Sequence, residues 1–279
     1  MKTTTLAASV AQVGFEQRRS KKPLAVILAG HNGSGKSTMW LKHLSPAFQI
    51  PLVNADRMML SVLPEPDGGN MLPPWAQTLR DTDENWMKVA QKGVESFVAQ
   101  AMFRCVPFAM ETVFSHWHVN PDGSIESKID LIRQMQTAGY FVLLFFVGLS
   151  NVQLSIARVS TRVAKGGHAV EINRLMERFP RTQNAIRLAS DVADAAIFTD
   201  NSRAESSAFT VCRVQIRERK IYDIRIDGNS RPPRAITEWL DVVSPLPAGA
   251  TPPPSSARRP RKIRSSPKKA PRRTTTSSR

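Results

Sequence analysis

"LAGHNGSGKST", Leu28 to Thr38, decides how the rest of the chain is read. Gly30, Gly33, Gly35, Lys36 and Ser37 meet the pattern G-x-x-x-x-G-K-[ST], in which glycines let backbone amides close round phosphate oxygens. Lysine adds a point charge there, and the serine hydroxyl is a ligand for Mg2+. The expected nucleotide-binding set is Gly30, His31, Asn32, Gly33, Ser34, Gly35, Lys36, Ser37 and Thr38, with Ser37 on the metal. Background residue frequencies put a chance match in a chain of this size at about 1%. "PLAVILAG" (Pro23 to Gly30) reads as a buried strand before the loop, and "KSTMWLKHL" as the helix the loop opens. The motif leaves the destination of the terminal phosphate open between water, a protein side chain and a small molecule.

Working outward, "FQIPLVNADR" reads as a short extended piece, with Pro51 favouring a strand start or an edge and Asp56 just past the strand's end. Residues 61 to 82, rich in proline and carrying "DGG", read as a loop or lid. "DENWMKVAQKGVESFVAQAMF" places Trp86, Ala90, Phe97 and Ala101 along one helical face, and "VPFAMETVFS" gives a third strand ending at Glu111. Ser124 is a suitable cap for a helix bearing Ile125, Ile129 and Ile132, stopped at Gly139. "YFVLLFFVGL" is apolar without interruption, as a central parallel strand should be. Asn151 caps the helix "NVQLSIARVSTRVAKGG", and "HAVEINRLMERF" is a further helix halted near Pro180. "ADAAIFTDNS" supplies a fifth strand, "VCRVQIRERKIYDIRID" alternates as a hairpin turning at "RERK", and "AITEWLDVV" is a last short helix. Strand and helix alternate from 23 to 200, the signature of an open, largely parallel sheet.

The chain has 279 residues, enough for one large α/β domain, and carries 39 Lys plus Arg against 23 Asp plus Glu, a net charge of +16. Gly249 to Arg279 holds ten of the basic residues and no acidic one. That segment has almost nothing apolar to bury, so a disordered tail is expected over 244–279, behind a P-loop domain over 23–243 and a basic leader over 1–22. The hairpin is expected at about 211–227. The tail is either a solvated linker or an arm making non-specific contact with nucleic acid or another anionic surface. Cys105 and Cys212 lie in apolar, strand-like runs without metal-ligand spacing, which predicts plain core residues in a reducing compartment. The longest apolar run, Phe141 to Leu149, is too short to span a bilayer, and no cleaved signal is recognisable; a soluble, cytoplasmic protein is expected.

Phosphoryl transfer to a hydroxyl needs a base within reach of the attacking oxygen. Asp56 and Glu111 are the candidates, each past the carboxyl end of an expected strand, where open α/β sheets bind ligands. "YFVLLFFVGLS" ends without an acid, which weighs against a mechanical ATPase. Arg158 and Arg162, one helical turn apart, can neutralise charge on a transferred group. His168, in "GGH", has no local metal partner and reads as part of a loop or lid. Two other classes stay open: a nucleic-acid-associated P-loop protein, polynucleotide kinase or switch, anchored by the tail, and a binding module that turns nothing over.

"ILAGHNGSGKST", "NADR", "AMETVFS", "GYFVLLFFVGLSNVQLSIARVSTRVAKGGH", "RFPRT" and "TDNS" together resemble a zeta-toxin-type P-loop kinase over Leu24 to Ser202. The resemblance implies a nucleoside-kinase-like fold: a mostly parallel sheet flanked by helices, here with a C-terminal hairpin and basic tail. It also implies ATP or GTP as phosphoryl donor with Mg2+, and a small-molecule acceptor, the 3′-hydroxyl of UDP-N-acetylglucosamine or a related nucleotide sugar or nucleotide. A small helical antitoxin is the partner it implies. By position, Lys36 and Ser37 match the phosphate and magnesium residues, Asp56 the catalytic base, and Glu111 with Thr112 the substrate-side acid and hydroxyl. Arg158 and Arg162 match the lid arginines; Asp200 and Asn201 fall in the closing strand-end motif. Val113 stands where the family often has a second threonine, and Ala169 and Glu171 where it has Asp and Pro.

Overall fold

A computed structural model describes residues 4–65, 72–123, 125–167 and 169–246; Ser124, His168 and the basic tail from Gly249 lie outside the described residues. The chain opens with α1 (Leu6–Ser20), β1 (Leu24–Gly30), α2 (Lys36–Met39), a π-helical turn at Trp40–Leu44 and α3 (Ser45–Phe48). It continues through β2 (Leu52–Val53), α4 (Ala55–Ser61), α5 (Pro74–Thr82), α6 (Glu84–Phe103) and β3 (Phe108–Thr112). Next come β4 (Trp117–Val119), β5 (Ile125–Ser127), α7 (Ile129–Thr137), β6 (Phe141–Gly148), α8 (Val152–Val163) and α9 (Ile172–Val192). The last elements are β7 (Ala195–Asp200), β8 (Thr210–Ile216), β9 (Arg219–Asp223), α10 (Ile224–Asp227) and α11 (Arg234–Val243).

Seven strands form one sheet in the order β2-β3-β1-β6-β7-β8-β9. The pairs from β2 to β7 are parallel, and β8 and β9 extend the sheet antiparallel. Alternation along each strand sorts the core into two layers. Ala25, Ile27, Met110, Leu144, Phe146 and Phe198 face α6, α7, α9 and α11. Leu24, Val26, Leu28, Leu143, Phe145 and Ile197 face α1 and the Trp40 turn. Every residue of β1 and β6 is buried, as their unbroken apolar runs predict. The register places Leu28 beside Glu111, Gly30 beside Val147 and Gly148 beside Asp200, so the carboxyl ends of β3, β1, β6 and β7 share one edge.

Several local expectations are corrected. The basic leader contains α1, whose Leu6, Val10 and Val13 recur at helical spacing and pack on the sheet, with Thr5 capping by accepting from Ala8 N at 3.1 Å. Residues 61–82 are largely helical where described: Ser61 ends α4 and α5 begins at Pro74, where a proline costs no helical hydrogen bond. Phe97 is exposed, and Val98 takes the buried position with Ala90 and Ala101. Cys105 is exposed in a left-handed turn between α6 and β3, whereas Cys212 is buried in β8. Ile125 belongs to a two-stranded antiparallel sheet, with Trp117 opposite Ser127, and the helix begins only at Ile129. Pro180 does not halt its helix: α9 runs through it, because Leu175, Phe179, Thr182 and Ile186 are buried on both sides of the break. A helix-interior proline costs about 3 kcal/mol, which burial of such side chains offsets. The hairpin strand ends at Asp223, where Asp223 caps α10.

No helix among the described residues is long and apolar enough to cross a membrane.

Candidate active site

The phosphate loop joins β1 to α2 and is braced from both flanks. Gly30 packs so tightly that a Cβ would lie 2.5 Å from Val147 O, and Gly35, at φ +92°, would carry one 2.7 Å from Asn201 Nδ2. Asn201 Nδ2 donates to Ser34 O at 2.8 Å, and Ser155 Oγ of α8 donates to Asn32 O at 2.7 Å. Those contacts fix the carbonyls of Asn32 and Ser34, and Ser34 N donates to His31 O at 3.1 Å within the loop. Lys36 Nζ donates to Gly30 O at 3.0 Å and His31 O at 3.1 Å. Burial lowers the Lys36 pKa, with Glu111 and Asp56 opposing and Arg162 reinforcing the shift. Ser37 and Thr38 are exposed on the first turn of α2, while Ser34 is buried. His31 is buried and stacked on Phe179 of α9, with ring centroids 3.9 Å apart.

The two carboxylates expected from sequence converge on this loop. Glu111 in β3 accepts from Ser37 Oγ at 3.2 Å on each oxygen and lies 3.9 Å from Lys36 Nζ. Asp56 sits in the first turn of α4, behind the Asn54 cap, and is exposed to the cleft. Its charge acts on both Lys36 and Arg178. Thr112 is buried beside Glu111; its Oγ accepts from Phe114 N at 3.1 Å and Lys128 Nζ at 2.6 Å.

From α8, Arg158 Nη1 makes a long 3.5 Å contact with Gly33 O, and Arg162 is half-buried within electrostatic reach of Lys36. Asp200 is fully buried and committed to its own turn, accepting from Ser202 N at 3.0 Å and Arg203 Nε at 3.1 Å. Three residues at the site were not singled out from sequence: Ser155, Lys128 and Arg178. Ser155 follows the Asn151 cap by one helical turn, at the start of the helix that carries the arginines, a position legible in the sequence. Lys128 and Arg178 reach the site through chain reversals that no local pattern announces.

Ser37 and Glu111 supply hard oxygen donors side by side, the donor set that suits Mg2+ completed by water and phosphate oxygens. Among the described residues no group of three or more His, Cys, Asp or Glu forms a self-sufficient metal cage.

Known proteins resemble this chain in sequence and in fold. An uncharacterized protein of Haemophilus influenzae (strain ATCC 51907 / DSM 11121 / KW20 / Rd) is 28% identical over 149 residues, covering 52% of this chain and 85% of its own. The AvrRxo1-ORF1:-ORF2 complex superposes with a TM-score of 0.55 at 12% identity, over 86% of this chain and 69% of that one. The same assembly crystallised with ATP gives 0.52 at 12% identity, over 88% and 72%. At that identity the likeness is one of fold, a P-loop sheet with its flanking helices. The family model described as Zeta toxin matches residues 8–224, from α1 through the phosphate loop, both carboxylates and the α8 arginines to the end of the hairpin, and the chain belongs to that family.

Proposed function

We propose that the protein is a kinase that moves the γ-phosphoryl group of ATP or GTP onto a hydroxyl of a small molecule, with UDP-N-acetylglucosamine or a related nucleotide sugar as acceptor. One observation carries the assignment: the Lys36 ammonium, at the centre of the phosphate loop, is in range of both Glu111 and Asp56 at a single sheet edge. A base, a metal-side acid and a phosphate-binding cation thus share one cleft. The loop amides and Lys36 bind the donor's phosphates. Ser37 and Glu111 would hold Mg2+, which supplies charge neutralisation across the donor phosphates.

Asp56 takes the proton of the acceptor hydroxyl as its oxygen bonds to the γ-phosphorus. The bond from that phosphorus to the bridging oxygen breaks, leaving the nucleoside diphosphate with the electron pair. Arg158 and Arg162 neutralise charge on the group in transit. A cytoplasmic reaction and a protein antitoxin as partner accompany this proposal.

Asp56→Asn is expected to retain nucleotide binding and to lose transfer by about 10²-fold or more. Mass spectrometry of a nucleotide-sugar panel incubated with Mg-ATP reads this directly. Undiminished product from the variant would remove Asp56 from its role, and absence of any phosphorylated product from the unaltered protein would remove the sugar class.

A further inference from the structure

A serine or threonine inside a helix commonly returns its hydroxyl proton to the carbonyl four residues back. Within α8, Thr161 does this and donates to Ala157 O at 2.9 Å. Ser155 does not: its Oγ donates across to Asn32 O of the phosphate loop at 2.7 Å, a bond between positions 123 residues apart. Ser155 is 1% exposed, where a hydroxyl without a partner is costly.

The backbones on either side of that bond are equally close. Gly33 has φ +70°, and a Cβ on it would lie 3.0 Å from Arg158 Cβ and 3.2 Å from Ser155 O. Loop residues 32 and 33 thus lie directly on the first two turns of α8. Arg158 and Arg162 stand three and seven positions after Ser155, so the three residues share one helical face. Seven residues of helix span about 10 Å, over which a small rotation at Ser155 is carried to both guanidinium groups. The far end of α8 is held separately, by the bond from Arg80 to Gly166 O at 2.7 Å. On the loop itself, Lys36 Nζ donates to His31 O at 3.1 Å, one residue before Asn32.

We infer that Ser155 is a positioning residue: through its bond to Asn32 O, the phosphate loop sets how α8 presents Arg158 and Arg162 to the transferred group. This rests on the kinase assignment and deepens it. A donor phosphate that draws Lys36 away from His31 O alters the loop beside Asn32, and the serine passes that change to the arginine face.

The full chain is followed by hydrogen exchange with and without Mg2+ and the non-hydrolysable nucleotide AMP-PNP. In the unaltered protein, nucleotide should slow exchange both in the loop and at the amides of Val159 to Val163. In Ser155→Ala, AMP-PNP affinity should stay within about threefold and the loop should still be protected, while the protection of Val159 to Val163 falls about tenfold. Unchanged exchange in β6 shows that the variant is folded. ATP turnover over the nucleotide-sugar panel gives a second arm: Ser155→Ala should lower kcat about tenfold with KM for ATP little changed, and in an Arg158→Ala background the same substitution should cost only about threefold. An α8 that ignores nucleotide in the unaltered protein, equal protection of α8 in both proteins, or serine and arginine losses that simply multiply overturns the positioning role and leaves the kinase assignment standing. Failure of the unaltered protein to bind AMP-PNP overturns that assignment itself, and the inference with it. The exchange arm needs no acceptor, so it decides the role of Ser155 even where no sugar of the panel is phosphorylated.

Discussion

At the scale of single residues, His31 shows how the phosphate loop is made both rigid and neutral around Lys36. It is 2% exposed, stacked on Phe179 and edge-on to Phe146, and its Nε2 has no hydrogen-bond partner among the described residues. Burial, reinforced by Lys36, pushes its pKa down to about 3 from 6.5. Between those values the unfolded chain takes up a proton that the native state refuses, so stability falls as pH drops below 6.5 and stops falling near 3. The slope is about 1.4 kcal/mol per pH unit. Urea denaturation of the unaltered protein should therefore lose about 2 kcal/mol more between pH 6.5 and pH 5 than denaturation of His31→Phe, which keeps the ring stack and removes the titration. Equal losses in the two proteins would mean that the ring is solvated and protonates in place. The motif alone identified His31 as a loop position; its partner, Phe179, lies in another helix and was not inferable from spacing.

At the scale of elements, Arg80 ties α5 to the turn that ends α8. Arg80 of α5 donates from Nη1 to Gly166 O at 2.7 Å, and Asp81 holds its guanidinium with two contacts of 2.8 Å. Gly166 belongs to the turn that ends α8, the helix bearing Arg158 and Arg162. Arg80→Ala should free that turn, and hydrogen exchange at the amides of Lys165, Gly166 and Gly167 should accelerate several-fold while exchange in β6 stays unchanged. Unaltered exchange in the turn would show that its own bonds to Arg162 O and Val163 O suffice. Elements whose signal is local were readable: β1 and β6 from apolar runs, α8 from its Asn151 cap, and the hairpin from alternation. Elements whose signal is tertiary were not. Pro180 is a stop signal that only the buried face of α9 overrides, and β4 with β5 are each three residues long, stabilised by their pairing rather than by propensity. The same division holds at the site: the loop, Asp56, Glu111 and the α8 arginines announced themselves, whereas Lys128 reaches Thr112 only through the fold.

At the scale of the whole molecule, the segment after residue 224 closes the structure although it lies beyond the family match. Trp239 of α11 is 2% exposed and stacks on Phe146 at 5.9 Å, directly over Gly148, where any side chain would collide with the indole. Arg225 anchors the same region, bound to Asp223 at 2.7 Å, to Asp241 at 2.5 Å and to Ser244 O at 2.8 Å. Trp239→Ala should lower unfolding free energy by about 3–5 kcal/mol, read from urea denaturation, because it empties a cavity against the central strand. A loss below about 1 kcal/mol would mean that α11 is a peripheral addition rather than part of the core. The sheet's two rims have a further consequence. One rim is β2, only two residues long and preceded by Pro51; the other is β9, which begins with the exposed Arg219 and Lys220 and turns at Asp223 into a helix. Brief, proline-flanked or cationic rims discourage another chain from adding a strand. Self-assembly into β-stacked aggregates is therefore disfavoured from both sides, and a protein that docks on this molecule meets helices and the open cleft instead of a free ribbon of backbone.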